Sequence, residues 1–157
     1  MDLMEQASTL LAEVGPLANL MAIAEYTDEK AWRLLVEEGL ELVVELDTVQ
    51  AQLILTADVA LPRAEDLLPL YKMLLEYGRQ WIATGGVHMV LDGDGTVMAV
   101  YRVPLSGLER TRLAGSISTF AQTVTAWRRI INEYKGRRSS NPAPSDADPF
   151  SLGAIRV

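Results

Sequence analysis

The sequence predicts an α+β fold, with helices packed on a twisted antiparallel sheet in the order α-βββ-α-ββ-α. Three observations predict it. Between Ala31 and Ala57 apolar residues recur at alternate positions, and the intervening turns are too short for anything but antiparallel neighbours. From Leu67 to Ile82, and again from Leu113 to Tyr134, the apolar residues recur at helical spacing. A second hairpin pattern lies between those two helices.

In chain order, Leu3, Ala7, Leu10 and Val14 form the seam of a short amphipathic helix, with Met4 and Leu11 beside it, and Gly15-Pro16 ends it. Leu17 to Glu25 is too apolar for a loop and too short for periodicity to settle; Leu20 to Glu25 reads as a short extended piece. Ala31 to Val36 is a strand, and Glu38-Gly39 marks a tight turn. Leu40, Leu42, Val44 and Leu46 then alternate with Glu41, Val43 and Glu45, the pattern of a strand with one buried face. Asp47-Thr48 turns the chain into a third strand, where Leu53 and Leu55 alternate with Ile54 and Thr56.

The central helix is apolar over about twice the 100° arc that one core requires. Asp66 stands where a cap belongs, and Pro69 is tolerated in a first turn whose N–H groups have no helical partner. One flank carries Leu68, Tyr71, Leu75 and Ile82, and the other carries Leu67, Leu74 and Trp81. Such a helix is either central to a large core or shared with a second subunit. After Gly85-Gly86 comes a hairpin, Val87 to Leu91 and Val97 to Val103, turning at Asp92-Gly93-Asp94-Gly95. The acidic turn fails the calcium-loop pattern, with Val97 at the glycine position and Val103 at the glutamate position. Leu113, Ile117, Phe120, Val124, Trp127, Ile131 and Tyr134 then form the seam of a long last helix. Residues 1–135 read as one domain. From Gly136 the composition turns to Arg, Ser, Asn, Pro and Asp, which predicts a disordered tail over 136–157.

Net charge is −7, which argues against nucleic acid, and no apolar run reaches the length of a membrane span. The charge is split: residues 1–47 balance at −9 and residues 110–138 at +6. There is no cysteine and one histidine, His88, so thiolate metal sites and nucleophile–base pairs cannot be assembled. Glu37, Glu38, Glu41 and Glu45 look like the polar side of a hairpin, and no phosphate-cradling glycine loop is present. No catalytic, metal or cofactor-binding residues are expected.

The stretches LPRAEDLLPLYKMLLEYG, GGVHMVLDGDGTVMAVYRVPLSGL and LAGSISTFAQTVTAWRRII, in this order of elements, resemble the Tir-chaperone (CesT-type) family of class I type III secretion chaperones. A Leu-Pro before the central helix, a leucine-rich helix running to a glycine, an Asp-Gly hairpin, and a Leu-Pro-Leu-like break before a tryptophan-bearing helix carry the resemblance. It covers about residues 1–135; Leu17 to Tyr26 and the C-terminal tail depart from the common pattern.

The resemblance implies an acidic homodimer of the bacterial cytosol, without enzymatic activity or cofactor. It would bind the N-terminal region of a secreted effector and keep it extended for export, and the secretion-system ATPase is a further partner of that picture. On this reading Leu68, Tyr71, Leu75 and Ile82 are the candidate dimer residues. Met4, Leu11, Leu35, Val43 and Ile54 are the candidate effector-binding residues, because they add apolar surface where a half-buried sheet and a single-seam helix need none. The opposing expectation is that Leu17 to Glu25 folds over them. A small-molecule module, with an internal cavity taking up the surplus apolar residues, is the alternative from another class; an enzyme with paired carboxylates stands third.

Overall fold

The computed structural model describes residues 2–80 and 82–139, with side chains as far as Tyr134 except that of Ala64. It contains α1 (Leu3–Val14), β1 (Leu20–Tyr26), β2 (Ala31–Val36), β3 (Glu41–Asp47), β4 (Gln52–Ala60), α2 (Leu67–Arg79), β5 (His88–Leu91), β6 (Val97–Pro104) and α3 (Arg110–Ser139). The strands form one antiparallel sheet of six, ordered β1-β2-β3-β4-β6-β5. The expected order holds, and the extended piece at Leu20 is a full strand at the sheet edge.

Alternation sets the two faces. Trp32, Leu34, Leu42, Val44, Leu46, Leu53, Leu55, Ala57, Val97, Ala99 and Val103 are buried beneath the helices. The residues that alternate with them point to the other face, which no helix of the described residues covers. α3 supplies the opposing layer: Leu113, Ile117, Phe120, Val124, Trp127 and Ile131 are all buried, as the seam predicts, and Ala114 and Ala121 fill the gaps between them. Each large aliphatic or Phe side chain so buried contributes about 1.5–3 kcal/mol relative to exposure.

α1 packs beside α3 with Ala7, Leu11 and Val14 fully buried, while Leu3, Met4 and Leu10 are half-buried. The buried stripe thus runs through Leu11 rather than along Leu3–Leu10.

The turns follow their chemistry. At the β3–β4 turn the Asp47 carboxylate accepts from the N–H groups of Val49 (2.9 Å) and Gln50 (3.0 Å), and from Gln52 Nε2 (3.0 Å). These bonds, that from Gln50 first, hold its pKa below the usual carboxylate value. Gly86 has φ +92°, and a Cβ there would stand 3.3 Å from Tyr101 Cε2, so the break after α2 needs glycine. α2 ends at Arg79, a turn earlier than expected, which leaves Ile82 in the following loop. Asp66 is buried at the N-cap position, yet its side chain makes no capping hydrogen bond to the helix, which corrects the expected cap. Trp81 and residues 140–157, which hold most of the expected tail, lie outside the described residues; 136–139 continue α3.

Candidate functional site

Among the described residues, two apolar surfaces remain once the core is closed. The first is one flank of α2. Leu70 is its only fully buried residue, while Leu67, Met73, Leu74 and Tyr77 are half-buried toward the body. Tyr77 meets Trp127 of α3 edge to face, with ring centroids 4.9 Å apart, so the inner flank is anchored. The outer flank is open: Leu68 is 80% exposed, Leu75 76% and Ile82 79%. Tyr71 is half-buried between the flanks, where a groove of about 240 Å³ separates α2 from β5 and is lined by Leu74, Leu75, Met89 and Leu91 as well. The four candidate dimer residues therefore lie along one side of α2 and its exit loop. The surplus apolar surface read from the sequence points outward, away from any internal cavity.

The second surface is the uncovered face of the sheet. Leu35, Val43 and Ile54 all lie on it, with Met98 and Val100 of β6. Val43 pairs with Thr56, and Ile54 with Glu45, so the two apolar residues are diagonal neighbours on adjacent strands. Val43, Ile54, Met98 and Val100 are half-buried by their neighbours alone, and Leu35 is 36% exposed. Met98 and Val100 are not singled out by the sequence, because alternation in β6 does not by itself say which of its two faces the helices cover.

Met4 and Leu11 do not join this surface. They sit on α1, on the helix-covered side, with the sheet between them and Val43. Leu11 is fully buried against the core, and this removes it from the candidate surface. Nor does the segment from Leu17 to Glu25 fold over the face: β1 continues the sheet beyond β2, pairing Ala22 with Leu35 and Ala24 with Arg33.

Charges frame the face. Arg33 Nη1 lies 3.4 Å from Glu41 Oε1, and its guanidinium sits 5.5 Å from the Tyr26 ring centroid. Arg102 acts on Asp47, whose pKa it helps to lower. On the helix side, Arg128 donates to the Asp58 carbonyl oxygen from Nε at 3.0 Å and from Nη2 at 2.6 Å, tying α3 to β4. A separate cleft of about 430 Å³ between α3 and the β2–β3 turn is lined by Ala18, Glu37, Glu38, Ala121, Gln122 and Arg129. His88 is exposed at the start of β5. Among the described residues no three acidic or histidine side chains are grouped to hold a metal, and no helix is long and apolar enough to cross a membrane.

Comparison with known proteins agrees with this architecture. Residues 9–128 match the model of the Tir chaperone protein (CesT) family. No curated protein matches the chain. Among solved structures, it is similar to a chain of the ExsC–ExsE complex, with TM-score 0.67 and 22% identity over 82% of this chain and 96% of that one. It is also similar to a chain of the HopA1–SchA chaperone–effector complex (TM-score 0.64, 18% identity, 79% and 94% covered). A third is the Yersinia pestis type III secretion chaperone SycH, solved with a stable fragment of YscM2 (TM-score 0.59, 14% identity, 76% and 98% covered). At these identities the likeness establishes the fold.

Proposed function

The chain belongs to the Tir chaperone protein (CesT) family, and from that premise we propose that it is a cytosolic type III secretion chaperone. It binds the N-terminal region of a secreted effector as a homodimer and keeps that region extended and competent for export. Hand-over to the secretion-system ATPase is the step such a complex prepares for. The chain does this by presenting surfaces, with no bond made or broken.

The observation that carries the proposal is the pair of open apolar surfaces on a chain that has already closed its core. A monomeric protein seldom leaves three large aliphatic side chains three-quarters exposed along one helix flank and its exit loop, and such a patch marks an interaction site. On a two-fold axis through α2 each copy covers the other's Leu68, Tyr71, Leu75 and Ile82, and one charge introduced there is buried twice. The wild type should therefore be dimeric at micromolar concentration by light scattering. Leu75→Asp should be monomeric with little change in secondary structure, because Leu75 is exposed in the single chain. A monomeric wild type would sink the homodimer.

The sheet face is the client surface of this proposal, now consisting of Leu35, Val43 and Ile54 together with Met98 and Val100. The client is sought by co-expressing the neighbouring open reading frame and purifying the complex. Val43→Gln and Ile54→Gln should weaken its binding clearly and leave dimerisation and the melting curve nearly unchanged. Unaltered binding would move the client elsewhere.

A further inference from the structure

The charges on the client face are unequally committed. Of its two cations, Arg33 is engaged with Glu41 and the Tyr26 ring, while Arg102 has no ion pair or hydrogen bond among the described residues. Of its four carboxylates, Glu41 and Asp47 have partners, but the side chains of Glu45 and Asp58 have neither an ion pair nor a hydrogen bond among the described residues, so unpaired negative charge exceeds unpaired positive charge two to one. Glu45 and Asp58 are exposed. Glu45 is the cross-strand partner of Ile54, and Asp58 that of Met98, so each unpaired carboxylate stands at the border of the apolar patch.

Their separation follows from the register. Asp58 lies four residues along β4 from Ile54, the residue opposite Glu45. At ~3.4 Å per residue along a strand and ~4.8 Å between strands, the two carboxylates are about 14 Å apart. Val43, Ile54 and Thr56 fill the space between them.

We propose, resting on the client reading above, that this face selects segments whose apolar stretch is flanked by two basic residues, one over Glu45 and one over Asp58. In an extended segment those residues stand about four positions apart, the same ~14 Å span. An acidic flank would instead meet two unneutralised carboxylates, with Arg102 alone, opposite Ile54, to receive it. Electrostatic complementarity of this kind acts chiefly on choice of partner and rate of encounter, while the apolar centre holds the segment.

The test uses the full-length protein and labelled synthetic peptides, read by fluorescence anisotropy. One peptide has an apolar centre with lysines about four positions apart, and in its two controls glutamine or glutamate replaces both lysines. The lysine peptide should bind tightest and the glutamate peptide weakest. Glu45→Gln and Asp58→Asn should each weaken the lysine peptide by roughly two- to fivefold, the range for exposed ion pairs. Both substitutions should leave the glutamine peptide unchanged, and the preference should shrink at high salt. If all three peptides bind alike and Val43→Gln weakens each, the charge selection is overturned while the client face stands. If none binds in a manner sensitive to Val43→Gln, the client face falls, and the selection with it.

Discussion

Asp47 shows how one side chain fixes a boundary between strands. Its carboxylate is acceptor to two backbone N–H groups and the Gln52 amide, bonds that the charged form accepts best. The folded-state pKa is accordingly depressed below 3.8, the ordinary value for the group. A depressed carboxylate adds stability that is present above its unfolded pKa and is lost as pH falls through the folded one. The melting temperature should therefore drop below about pH 4, and Asp47→Ala should lower it at neutral pH while making the acid limb shallower. Parallel pH profiles for the two proteins would refute this role. Asp94, held low mainly by the Thr96 N–H, contributes with the same sign at the β5–β6 turn. Both turns were legible in the sequence, because Asp and Gly at a break in alternation have few other uses. The Asp66 cap was not: an acidic residue in the right place says nothing of where its oxygen points.

At the scale of elements, legibility followed the regularity of the burial pattern. The seam of α3 repeats without a fault and could be read residue by residue. β1 could not, for a reason visible in its register. Leu20 faces Val36 and Ala22 faces Leu35, so Met21 is an extra residue, a bulge. The two half-buried apolar residues turned toward the helices, Leu20 and Ile23, are thereby three apart, which matches neither a strand nor a full helical repeat. α2 was ambiguous for a different reason: its wide apolar arc serves two surfaces, and one sequence cannot say which flank is inside. The structure turns Leu67 and Leu74 inward and leaves Leu68 and Leu75 out. With Leu70 its only fully buried side chain, α2 hangs on few anchors. Leu70→Ala should cost about 2–5 kcal/mol, and amides of α2 in the isolated subunit should exchange faster than those of α3 between Leu113 and Ile131. Equal protection in a monomeric Leu75→Asp protein would show that α2 is held by more than Leu70 and the Tyr77–Trp127 contact.

Across the whole molecule, the charge split in the sequence becomes a spatial arrangement. The acidic α1 lies along the basic α3, and Arg110 approaches Glu13 at 3.9 Å where the two helices meet. That pair is well exposed and adds little stability; its significance is that the two halves partly screen one another, so the bare −7 overstates the field a partner meets. Among the described side chains, Ile131 is the last buried residue of α3. Residues 140–157 hold Asn, three Pro and two Asp before the apolar Phe150, Leu152 and Ile155. The expectation that they form a tail rests on composition alone, weighed against the roughly 1–2 kcal/mol per residue that ordering a backbone costs. A chain ending at Ser139 should therefore melt at the same temperature as the full-length protein and scatter light as the same oligomer. A fall of several degrees on truncation would place Phe150, Leu152 or Ile155 against the body. A change of oligomer without a change in melting would place them across the subunit contact, and either result would extend the folded unit beyond α3.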